Sequence, residues 1–90
     1  MILQSGKIYQ RHYFADSMML PTLQIKGTAQ IYVSNQGTKP TSISEMVLEE
    51  DFENGKINTV IAMTRWIAAV YTTGSEVYEM GLVESPYNAK

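Results

Sequence analysis

His12 is the only histidine of the chain, and there is no cysteine. Zinc sites of the usual spacings need several such ligands, and a catalytic triad needs an imidazole beside a nucleophile, so both chemistries lack their parts. A lone histidine at a strand edge or on the surface needs no function; the one use its type allows is a pH-sensitive contact at an interface. Glu49, Glu50, Asp51 and Glu53 crowd the approach to Asn54-Gly55. Carboxylates of this kind hold calcium, but their spacing fits no EF-hand loop. The plainer reading is a solvated charge run that keeps a strand edge from pairing. No Gly-rich phosphate loop, Walker lysine or G-x-S-x-G motif is present. The residues thus predict no catalytic, cofactor-binding or metal site and no cofactor, and an enzyme here would work by acid–base chemistry without any signature.

Arg65 and Trp66 are neighbours at the start of an expected strand, so they point to opposite faces and cannot stack on each other. Trp66 shares parity with Ala68 and Val70 and is expected to anchor the core, with Arg65, Ile67, Ala69 and Tyr71 on the other face. Six tyrosines and six methionines in 90 residues lean toward an interaction surface, since both types are enriched at protein interfaces. Tyrosine is also a good strand former and methionine a gap-filler in cores.

The elements that must position these residues read as strands. From Thr22 to Val33, Leu23, Ile25, Gly27, Ala29, Ile31 and Val33 share one parity and the polar residues the other, the period of a strand buried on one face. Gly27, in the middle of the inner face, predicts a bulge or kink. Residues 34–42 are small and polar, with one Gly and one Pro, and read as a surface loop. Residues 43–53 are ambiguous. Ser42 with Glu45 fits a capping box and Ile43, Met46 and Val47 have helical spacing, whereas Asn54-Gly55 between apolar runs signals a hairpin turn and favours a strand. Lys56 to Met63 and Trp66 to Thr73 are rich in β-branched residues, and Thr73-Gly74-Ser75 turns into a closing strand through Val77, Tyr78, Met80, Leu82 and Val83, with Gly81 near its middle. The expected fold is all-β: a small antiparallel β-sandwich or barrel of about six or seven strands, with one short helix near 43–53 as the variant.

Length and composition agree with one such domain. The 44% hydrophobic and 18% charged content is globular rather than disordered, and a net charge of −2 opposes a surface built to neutralise nucleic-acid phosphates. A chain this short buries only about 60–65% of the surface its unfolded form exposes, so association with partners would help it. The apolar part of Met1-Ile2-Leu3-Gln4-Ser5-Gly6 is too short for a signal peptide and no run of about 18 apolar residues occurs, so a soluble, unprocessed protein with no membrane partner is expected. The chain divides into an N-terminal arm or first strand (1–21), a β body (22–84) and a tail (85–90). In the arm, Ile8, Tyr9, Tyr13, Phe14, Met18, Met19 and Leu20 are apolar but weakly patterned, which predicts a docking interface; the alternative is that the segment supplies the first strand of the body.

Three stretches resemble the small β-sandwich proteins on the virions of tailed bacteriophages, such as capsid decoration proteins, head fibres and tail adaptors. They are Gly27 to Gly37, a strand running into a Ser-Asn-x-Gly turn; Thr64 to Tyr71, an alternating strand; and Thr73 to Tyr78, a tight turn into the closing strand. The resemblance implies a non-enzymatic structural protein of the virion, assembled in the host cytoplasm. It implies capsid or tail proteins as partners, with many copies or a homo-oligomer. It carries over no functional residue. The competing reading is a stand-alone binding module for carbohydrate or another ligand, with Trp66 and Tyr32 as stacking platforms.

Overall fold

The computed structural model describes residues 2–11, 22–60 and 64–80. Five strands occur in them, β1 (Ile8–Gln10), β2 (Thr22–Ser34), β3 (Val47–Val60), β4 (Trp66–Tyr71) and β5 (Glu76–Met80), with one 3₁₀ turn at Ile43–Glu45. Every pairing is antiparallel, so the all-β class is as the alternation predicts.

β2 is the strand on which the sheet is built. Along one edge it pairs with β3 for almost its whole length, from Thr22↔Val60 to Val33↔Val47. Along the other it is shared: Thr22 to Lys26 pair with β5, and Ala29 to Ser34 pair with β4. The division falls at Gly27, where the β2–β3 register shifts and the backbone takes φ +91°, the region glycine enters without Cβ strain. The kink predicted at Gly27 is therefore present, and it lets one strand belong to two halves of a bent sheet. The Thr28 N–H donates to Ser75 Oγ at 3.0 Å, tying the kink to the β4–β5 turn, where Gly74 has φ +87°.

The expected hairpin at Asn54-Gly55 does not form. β3 runs straight through these residues, and Gly55 lies opposite Gly27. The local turn signal loses because a partner as long as β2 can satisfy the backbone groups on both sides of Asn54-Gly55, so no reversal is needed. Two expected strands thereby become one, and the described residues hold five strands and an isolated bridge, Ile2↔Tyr78.

The ambiguous segment resolves into a single 3₁₀ turn followed by strand. Ser42 makes no side-chain cap; instead the Glu45 carboxylate accepts the Thr41 N–H at 2.9 Å and the Thr41 hydroxyl. These hydrogen bonds hold the Glu45 pKa below its ordinary value, the Thr41 hydroxyl contributing most.

The main core gathers Leu3, Tyr9, Leu23, Ile25, Ala29, Ile31, Phe52, Ile67, Ala69 and Val77. The β2 members are those the alternation assigns to the inner face. For β4 the expected polarity is corrected: Ile67 and Ala69 face the main core, while Trp66 and Ala68 join Ile8 and Met46 in a second cluster on the opposite face, with Tyr32 and Ile43 packed against it. Both faces of β4 are covered because the loop after β2 folds back over it, held by the indole Nε1–H of Trp66 donating to the Gln36 carbonyl at 2.9 Å.

The docking-arm reading is likewise corrected for the part of the arm that is described. Leu3 is fully buried, its N–H donates to Val77 O at 2.9 Å, Gly6 N–H donates to Ala69 O at 2.8 Å, and β1 pairs with β4. Tyr71 donates its hydroxyl to Leu3 O at 3.0 Å. Ile8 and Tyr9, expected at an interface, are both buried within the chain. They bury toward opposite faces of β1, one into each cluster, so a strand covered on both sides shows no alternation to read. Tyr13, Phe14, Met18, Met19, Leu20 and His12 lie outside the described residues, as do Gly81, Leu82, Val83 and the C-terminal tail.

Candidate functional site

Inward-facing Ala29 lies opposite Phe52 on β3 and Tyr71 on β4. Its neighbour Gln30 therefore faces outward, opposite Asp51 on one side and Val70 on the other. On this outer face the second cluster occupies one end. At the other, next to the Gly27 bend, an open cleft of about 330 Å³ is lined by Thr28, Gln30, Asp51, Glu53, Val70 and Thr72 among others. Two carboxylates, an amide and two hydroxyls border it, a set that accepts hydrogen bonds and favours a cationic or hydroxyl-bearing guest.

The acidic run is placed on an edge. The strand order is β1-β4-β2-β3 with β5 also on β2, so among the described residues β3 has a neighbour on one side only. Glu50, Asp51 and Glu53 are exposed. Glu49 is half-buried and is the extra residue of a bulge, since Ile31 pairs with Glu50 and Tyr32 with Leu48; its Oε2 is closed off from solvent without a hydrogen-bond partner among the described residues. Alternation sends Glu50 and Asp51 to opposite faces, and no three acidic, histidine or cysteine side chains converge as a metal site among the described residues. Trp66 is buried beneath the loop after β2, which removes it as a stacking platform.

Sequence reading missed a buried ion pair. Arg11 Nη2 meets Glu79 Oε1 at 2.6 Å with both side chains shut from solvent, and Arg11 Nη1 donates to Thr64 Oγ1 at 3.1 Å. The available signal was the parity of β5: Glu79 shares a face with Val77 and lies opposite Leu23, both fully buried. The pair joins the segment after β1 to β5, and Arg11 N–H also donates to Arg65 O at 2.8 Å.

Burial raises the Glu79 pKa from 4.5 to about 7, outweighing the opposing pull of Arg11. Between those pH values the folded chain keeps a proton that the unfolded chain has released. Glu79 therefore favours the fold most below about pH 4.5, and its contribution declines as pH rises toward 7. Urea midpoints measured across this window are expected to fall with pH in the natural chain and to flatten in Glu79→Gln. An unchanged slope in that variant would assign the pH dependence to another group.

Compared with known proteins, the chain matches no family model, no curated protein and no solved structure.

Proposed function

We propose that the chain is a non-enzymatic assembly component acting through protein–protein contacts, of the kind found on the virions of tailed bacteriophages. The supporting observation is the placement of its exposed apolar side chains. Ile2 (55% exposed) and Tyr78 (37%) are bridged to each other beside β5, while Val47 (67%) and Leu48 (46%) begin β3. Tyr78 pairs with Gln24 and Leu48 with Tyr32, positions on β2 on the order of 25 Å apart along an extended strand. Apolar side chains exposed at two separated places suit a piece that must touch more than one neighbour. The virion setting rests on the resemblance of the three sequence stretches.

Light scattering on the full chain tests the reading. A defined multiple of the 10.1 kDa chain mass is expected, reverting to monomer in Tyr78→Lys with the circular dichroism spectrum and melting temperature retained. A monomer at every concentration, unaffected by that substitution, would move the stand-alone binding module to the front. The cleft beside Asp51 and Glu53 gives that second reading its site.

A further inference from the structure

We infer that the edge of β3 over Val47 to Glu53 is a strand-addition site for an extended, basic segment of a partner protein. The inference rests on the assembly reading above and adds to it a surface and a partner chemistry.

An edge strand carries backbone N–H and C=O groups that only another strand satisfies fully. Proteins usually blunt such an edge with charge and bulges, and β3 has both. Yet the same stretch begins with two exposed apolar residues, Val47 and Leu48, which a purely protective edge would not display. The acids decide who can approach. If two copies paired antiparallel about Asp51, Glu49 would face Glu53 and Asp51 would face itself; in a parallel in-register pairing every acid would face its own copy. Like charges directly opposite each other destabilise a pairing. In both of these registers the edge therefore disfavours a second copy of this chain.

For a basic strand the sign reverses. The ion pair found among the described residues joins Arg11 to Glu79, and none of Glu49, Glu50, Asp51 and Glu53 makes one there. Asp51 and Glu53 also border the outer cleft, which gives a long lysine or arginine side chain from an added strand a cavity to enter. β-Branched residues on the partner's alternate positions would rest against Val47, which lies opposite Val33 on the inner face.

The test uses the full chain, isotope-labelled, and a short synthetic peptide of alternating valine and lysine. Three controls accompany it: the same peptide with glutamate for lysine, the same peptide with a central proline, and high salt. The expected result is binding of the lysine peptide alone, weakened by salt, with slowed amide exchange confined to residues 47–53. The triple variant Glu50→Gln, Asp51→Gln and Glu53→Gln, all at exposed positions, should melt normally and bind about tenfold more weakly. The inference is overturned by no binding, by equal binding of the proline or glutamate peptide, by protection elsewhere, or by self-association of the chain through residues 47–53. Failure here with the Tyr78-dependent oligomer intact would remove the edge site and leave the assembly reading standing. Failure of that oligomer alone would do the reverse.

Discussion

At pH 8, where the Glu79 carboxyl of the natural chain is ionised, Arg11→Ala is expected to cost about 3–5 kcal/mol, because it leaves that carboxyl buried beside Leu23 without its guanidinium. A domain of this size has on the order of 5–13 kcal/mol in total, so the variant should lose a large part of its stability or fail to fold at ambient temperature. Glu79→Ala should also destabilise the fold, by removing the carboxylate that faces the buried Arg11 guanidinium. The double variant Arg11→Met, Glu79→Leu separates pairing from packing: burial of two charges is itself costly, so apolar replacements of similar volume should recover most of the loss. Urea unfolding of the natural chain, the two single alanine variants and the double alanine variant Arg11→Ala, Glu79→Ala forms a thermodynamic cycle. Strictly additive losses in the single and double alanine variants would show that the two side chains do not act as a unit.

Gly27→Ala is expected to cost about 2–4 kcal/mol from two independent sources, backbone strain and overlap. The backbone at φ +91° disfavours any Cβ, and a Cβ built there would approach Ser75 Cβ to 2.9 Å and Ser75 Cα to 3.1 Å. Adding Ser75→Gly should relieve the overlap while leaving the strain, so thermal unfolding of the double variant should show partial recovery. Gly37→Ala is the matched control: a Cβ there meets nothing within 4 Å, and its effect should stay within about 0.5 kcal/mol. Equal melting temperatures for the Gly27 and Gly37 variants would mean that the close approach between the bend and the β4–β5 turn does not constrain the fold.

Part of the candidate site was legible in the residues themselves. The run Glu49 to Glu53 reads as a solvated charge run that keeps a strand edge from pairing, and it lies on β3, which among the described residues has a neighbour on one side only. The cleft was not legible, because it is made by residues from β2, β3 and β4 that share a face only once the register is fixed. The partnership of Arg11 with Glu79 was invisible for the same reason: the two are brought together by β1 pairing with β4 and by β5 pairing with β2.

By itself the sequence determined the strands whose burial is one-sided and the turns whose backbone demands glycine. The alternation of Leu23, Ile25, Ala29 and Ile31 marked the inner face of β2, Gly27 marked its bend, and Thr73-Gly74-Ser75 marked the last turn. Tertiary structure alone decided that β3 passes through Asn54-Gly55, that Ile8 and Tyr9 bury to opposite sides, and that Trp66 belongs to a second, smaller cluster. The physical reason is that a period of two records burial on a single face. A strand covered on both faces erases that period, and a turn signal yields when a long antiparallel partner satisfies the same backbone groups without a reversal.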